Sequence, residues 1–178
     1  MNIIFDLDGT LLDTLGGLAA SHNRILQRAG YPTHPVDAYR MFIGDGLQKC
    51  IERMLPAEVS DASIVKALMR AHNKDYAAHW QQGVSAYPGI NQLVADLKLR
   101  GCTLCVLSNK PHNFSCQFVE HFFEGQFDVV MGHRDGTPHK PDPTSTLEML
   151  DTLGVDAPDC LFVGDTATDM ACPRRFKF

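Results

Sequence analysis

The sequence predicts an α/β protein: a parallel sheet covered by helices and interrupted by an all-α insert. Two observations carry this. Four short apolar runs alternate with helical patterns along the chain. Between the first two runs lie some seventy residues with helical periodicity and no strand signal.

The first run, Asn2–Leu7, reads as a buried strand that stops at Gly9-Thr10. Three amphipathic helices follow in the insert. Leu18, His22, Ile25, Leu26 and Ala29 mark the first; Leu47, Cys50, Ile51, Met54 and Leu55 the second; Ile64, Val65, Leu68, Met69, His72 and Tyr76 the third. His22, His72 and His79 read as helix-face residues, and Tyr76 and Trp80 as core of the insert. Asn91–Arg100 is a covering helix with Leu93, Val94 and Leu97 inward and Gly101 as its stop. The second strand is Thr103–Leu107. A helix from near Asn113 then places Phe114, Phe118 and Phe122 at four-residue spacing. Asp128–Met131 is the third strand. A helix from about Pro143 to Leu153 turns Leu147 and Leu150 inward, and Cys160–Val163 is the last strand. Residues 1–14 and 86–178 therefore form the α/β core and residues 15–85 the helical insert. The hinges fall at Thr14–Gly17 and Gln82–Ala86, where glycine and small residues ease a backbone change.

The 178 residues suffice to bury a core without disulfides or a structural metal. With 44 % hydrophobic and 21 % charged residues, whole-chain disorder, collagen and coiled coil are excluded. No apolar run approaches the roughly 20 residues of a membrane helix. Asp6 and Asp8 interrupt the apolar start before it could form a signal peptide, so the expected location is the cytoplasm. A formal charge of −5 argues against nucleic acid or an anionic membrane as the main partner. Cys102 and Cys105 spell C-x-x-C, but inside an apolar run, and read as buried thiols rather than a redox pair.

Chemistry concentrates at the strand ends. Asp6-Leu7-Asp8-Gly9-Thr10 closes the first strand, and alternation would put both acids on one side. Beyond the carboxyl end of a strand is where open α/β sheets bind ligands. Two carboxylates about 5 Å apart repel by roughly 3 kcal/mol at an effective dielectric of 20, so a cation is needed there. Ser108-Asn109-Lys110 follows the second strand and offers a hydroxyl, an amide and N–H groups to an anion. Lys140 lies in a stretch stiffened by Pro138, Pro141 and Pro143. Asp165 and Asp169, one helical turn apart, follow the last strand. Capping explains each acid pair singly. It does not explain four such segments in this order.

Together these segments resemble the haloacid dehalogenase superfamily of aspartate-nucleophile phosphatases, over almost the whole chain. The resemblance implies a three-layer, Rossmann-like core with an inserted α-helical cap. It makes Asp6 the nucleophile and Asp8 the general acid and base. Ser108 would bind the phosphoryl group, and Lys140 would neutralise Asp6 and the phosphoryl oxygens. Mg²⁺ is the implied cofactor, held by Asp6, the backbone carbonyl of Asp8 and Asp165, with Asp169 ligating or orienting. An all-oxygen donor set suits that metal. Phe42–Leu47, Ala86–Ile90 and Ser108–Lys110 look like phosphoglycolate phosphatase. On that pattern Gly44, Asp45 and Gly46 of the cap, with Thr10 and Asn109, contact a small phosphorylated metabolite. Sugar-phosphate phosphatases, pyrophosphatases and phosphohexose mutases share this cap. Lys110 and Arg53 could be substrate-side cations, although each reads first as surface charge.

After Asp169 the family pattern continues with a full amphipathic helix, a strand and usually a last helix. Here Met170-Ala171-Cys172 is followed by Pro173 and Arg174-Arg175-Phe176-Lys177-Phe178. The expectation is a C-terminally incomplete core whose edge beside Cys160–Val163 is open to self-association. The alternative to an active phosphatase is then a catalytically impaired, phosphate-binding or structural remnant.

Overall fold

The computed structural model describes residues 1–59 and 61–174. Residues 175–178, where the sequence departs from the family pattern, lie outside the described residues. In chain order the elements are β1 (Asn2–Phe5), β2 (Leu12–Asp13), α1 (Leu15–Arg28), α2 (Tyr39–Phe42), α3 (Leu47–Met54) and α4 (Ala62–His79). They continue with β3 (Ser85–Ala86), α5 (Ile90–Leu99), β4 (Thr103–Pro111), α6 (His112–Phe123), β5 (Val129–His133), α7 (Thr144–Leu153), β6 (Cys160–Val163) and α8 (Ala167–Arg174). No helix among the described residues is long and apolar enough to cross a membrane.

Four strands form one parallel sheet in the order β5-β4-β1-β6. This is a Rossmann-like α/β core, with strands joined through helices as parallel pairing requires. Register aligns Phe5 with Val106 on one side and Val163 on the other, so the carboxyl ends of β1 and β6 lie together beside the middle of β4. Ile4, Cys105, Leu107, Met131, Met149 and Leu150 make the buried core on one face. Cys102 and Cys105 are buried free thiols, and burial pushes Cys105 up to about 11.

The chain divides into two compact units, one of Met1–Asp13 with the segment from Ser85 onward, the other Thr14–Val84. The second is all helical. Its core joins Ile25 and Leu26 of α1, Tyr39 of α2, Ile51 and Met54 of α3, and Val65 and Leu68 of α4. Asp61 starts α4 by accepting the Ser63 N–H at 2.7 Å, an N-cap. The short α2, absent from the expected three helices, supplies the fully buried Tyr39, whose hydroxyl donates to Asn23 Oδ1 at 2.7 Å. Four residues give too short a periodic pattern to be visible in sequence. His22 and His72 stack with centroids 4.2 Å apart inside this unit, so they are interior rather than surface residues of their helices.

Several expectations need correction. β1 ends at Phe5, because the chain turns where Leu11 and Leu12 both donate N–H to the Leu7 carbonyl. β4 runs on to Pro111 through a register irregularity after Leu107. Leu93 and Leu147 face outward, at 44 % and 51 % exposure. In α5 the buried residue is Val94, and in α7 the inner stripe is Ser145, Thr146, Met149 and Leu150. Those helices are apolar on more than one face, so periodicity alone misplaces the contact stripe.

Candidate active site

Asp6 is the first residue beyond β1, and its N–H extends the ladder to the Val163 carbonyl at 2.8 Å. This fixes its side chain where the ends of β1 and β6 lie beside the middle of β4. Oδ1 accepts from Lys140 Nζ at 2.8 Å. Burial, opposed by Lys140 and reinforced by Asp169 and Asp8, pushes Asp6 up to about 6.

Lys140 spends all three of its N–H donors inside the site: on Asp6, on Asp169 Oδ1 at 2.8 Å and on the Leu107 carbonyl at 2.7 Å. Its backbone is clamped by Asn109, which accepts the Lys140 N–H at 2.7 Å and donates Nδ2 to the Lys140 carbonyl at 3.1 Å. Burial alone would lower the ammonium, but Asp6 and Asp169 outweigh it and hold its pKa raised.

Asp169, in the first turn of α8, has both oxygens engaged. Oδ1 takes the Lys140 bond, and Oδ2 accepts the Thr166 hydroxyl at 2.6 Å and its N–H at 3.1 Å. Burial raises this carboxyl, and Lys140 and Thr166 more than reverse that, leaving it below the usual range. Asp165 accepts the Thr10 hydroxyl at 3.2 Å, and burial raises its pKa. Thr10 and Asn109, expected at the substrate, thus brace Asp165 and Lys140.

Two glycines make room for this convergence. Gly9 has φ +87°, and a Cβ there would stand 2.4 Å from Asp165 Oδ2. A Cβ on Gly164 would stand 2.4 Å from Asp169 Cβ.

Asp8 does not join the carboxylate cluster. With β1 already ended, its carboxylate reaches Lys110, whose Nζ lies 3.0 and 3.2 Å from the two oxygens. Lys110 is therefore a buried ion-pair partner and not surface charge. The N–H of Lys110 donates to Oγ of the buried Ser108 at 3.2 Å. Thr166, Lys110 in this role and Phe118 beneath it were not singled out as site residues from sequence. An acid flanked by apolar residues with a lysine 102 positions away carries no local signal.

In the helical unit Gly44, Asp45 and Gly46 form a turn before α3, with φ +109° and +90° at the glycines. Asp45 pairs with Arg53, which also donates to the Phe42 carbonyl at 3.2 Å. Arg53 thus holds the turn.

Asp6, Asp165 and Asp169 each bring a carboxylate oxygen within 4.8 Å of the others. Hard oxygen donors at this spacing fit a Mg²⁺-like divalent cation. Asp6 and Asp165 are the better-placed ligands, since Asp169 already serves Lys140 and Thr166.

A family model for haloacid dehalogenase-like hydrolases matches residues 3–177. The chain belongs to that family. The haloacid dehalogenase-like core and helical cap domain account for the two units described above. Curated relatives include the phosphoglycolate phosphatase of Pseudomonas putida, 31 % identical over 97 % of this chain and 65 % of its own length. That of Psychrobacter arcticus is 30 % identical over 94 % of this chain and 76 % of its own. The chain thus spans about two thirds to three quarters of these relatives. Among solved structures, one described as a predicted phosphoglycolate phosphatase from Haemophilus somnus superposes with TM-score 0.90 at 25 % identity, covering 97 % of this chain and 80 % of that one. A haloacid dehalogenase-like family hydrolase of Streptococcus pneumoniae shares the fold, with TM-score 0.85 at 22 % identity, over 97 % of this chain and 79 % of that one.

Proposed function

We propose that the protein hydrolyses a small phosphate monoester of the phosphoglycolate class through a phosphoaspartate formed on Asp6. The observation that carries this reading is Lys140, whose ammonium joins Asp6 to Asp169 beside Asp165. A carboxylate at about 6 is largely ionised at neutral pH and so is a competent nucleophile. The relatives that bear the name phosphoglycolate phosphatase support the substrate class.

In the first step Asp6 attacks phosphorus as the bond to the leaving alkoxide breaks, and Asp8, carrying the proton it takes from water in the second step of the preceding turnover, passes that proton to the alkoxide oxygen. In the second, Asp8 takes a proton from water, whose oxygen attacks phosphorus, and Asp6 is released with inorganic phosphate. Ser108 would hold a phosphoryl oxygen through both transfers, while Lys140, bound to Asp6 and Asp169, offsets the negative charge beside the nucleophile. Bound Mg²⁺ would supply the positive charge that lets the carboxylate and the phosphoryl dianion approach. Asp6 and Asp165 would hold it, and the family resemblance adds the backbone carbonyl of Asp8 as a third donor. The setting is the cytoplasm.

Phosphate release from a panel of monoesters, with Mg²⁺, with Zn²⁺ and with EDTA, tests this. We expect release with Mg²⁺, none in EDTA and little with Zn²⁺. Absence of release from every monoester, or full activity in EDTA with bound metal shown absent by elemental analysis, would refute the reading.

A further inference from the structure

The two acids of the first motif each have a lysine of their own, and only one of these is explained by the chemistry above. Lys110 is the other. Its side chain is 4 % exposed, against 21 % for Asp8, so the cation is the enclosed member of the pair and the carboxylate the reachable one. The ammonium lies 4.6 Å from the centre of the Phe118 ring, itself fully buried in α6.

The backbone of Lys110 is fixed as firmly. Its N–H bonds Ser108 Oγ and its carbonyl accepts from Ser115 Oγ at 3.2 Å. Gly132 of β5 passes so close that a Cβ there would stand 2.6 Å from the Lys110 carbonyl oxygen and 2.4 Å from Ser115 Oγ. The irregularity of β4 between Leu107 and Pro111 falls on this segment. An apolar residue over Phe118 would pack there without the desolvation that a buried ammonium brings.

We propose that Lys110 is a positioning residue for Asp8, its ammonium over Phe118 fixing where the Asp8 carboxylate stands when the leaving group departs. Both Asp8 oxygens lie against one ammonium, which restricts rotation of the carboxylate at a point where the chain has left the strand and its ladder no longer does so. The inference rests on the acid–base role given to Asp8 above.

The test compares kcat/KM for three esters: p-nitrophenyl phosphate, whose phenolate leaves without protonation, ethyl phosphate, and phosphoglycolate. This ratio covers steps up to loss of the leaving group, so the later hydrolysis of phosphoaspartate does not enter it. Lys110→Met and Lys110→Gln should each lose about 10–100-fold on both alkyl esters and less than about threefold on the aryl ester. Lys110→Arg should recover most of the loss. Added to Asp8→Asn, Lys110→Met should cost nothing further, since the two act as one unit.

Equal losses on all three esters, or additive losses in the double variant, would overturn the proposal. So would a loss on phosphoglycolate alone, which would make Lys110 a contact for the substrate carboxylate. Loss of folding in both the Met and the Gln variant would make the residue structural and overturn it too. Asp8→Asn separates the two levels. If its loss is selective for alkyl esters and that of the Lys110 variants is not, only the positioning role falls. If Asp8→Asn is itself unselective, or the unaltered protein turns over no monoester with Mg²⁺, the underlying reading falls and this one with it.

Discussion

Replacing Lys140 by methionine removes the cation bound to both Asp6 and Asp169 while keeping most of the length of the side chain. Its Nζ stands 2.8 Å from an oxygen of each. At an effective dielectric of about 20, each contact contributes roughly 6 kcal/mol of Coulombic attraction. Desolvation of three buried ionised groups offsets most of this. Loss of one partner from such a cluster leaves uncompensated charge, and a net cost of about 3–5 kcal/mol is expected. For a chain of this size that lowers Tm by about 6–20 °C. The deficit should also depend on pH. Without Lys140, Asp6 rises further, while Asp169 keeps only the Thr166 bonds against burial, so Asp6 holds a proton in the folded state that the unfolded chain releases near pH 4. Stability of the variant then falls as pH rises from there through the raised value of Asp6. Thermal and urea unfolding in EDTA at pH 5 and pH 8 should show a larger gap from the unaltered protein at pH 8. A gap below about 1 kcal/mol, or one equal at both pH values, would refute the reasoning that these three groups form one buried unit.

Asp6→Asn should lower phosphate release by at least about 10³-fold, because the amide keeps the shape and loses the attacking charge. Steady-state assay on the best substrate of the panel checks this. Gly9→Ala should cost about 1–2 kcal/mol from its φ of +87° alone and displace Asp165. Calorimetric titration should therefore show weakened Mg²⁺ binding. In the cap, Asp75 is buried beside Arg24 and Ser21, whose bonds, with the charges of Arg24 and His79, overcome burial and hold it below the usual carboxylate range. Its contribution is present above about pH 4 and lost as pH falls through the lowered value. Asp75→Asn should accordingly cost about 1.5–3 kcal/mol in urea unfolding at pH 7, and the gap should narrow as pH falls below the usual carboxylate range.

The division between what the sequence determined and what the tertiary structure decided follows the range of the interactions. Strands, the long helices, the all-α insert and the candidate acids Asp6, Asp8, Asp165 and Asp169 depend on periodicity and on residues near in sequence, and so are legible there. Lys140 was identifiable as the cation of the site only through the resemblance to the haloacid dehalogenase superfamily. That Asp6 and Asp169 share its ammonium was not, as 134 and 29 residues separate the partners. The two-residue strands β2 and β3 and the four-residue α2 are too short for any pattern to show. Asp6 and Asp8 were expected to act together on one side of a strand. The strand stops at Phe5, and the turn after it sends the two carboxylates to different lysines. Lys110 looked like surface charge because its neighbours are polar. Its burial is decided by where β4 loses register, by the Phe118 ring beneath it and by a glycine in β5 that lets two segments touch. Each of those is a packing fact, created only when distant parts of the chain come together.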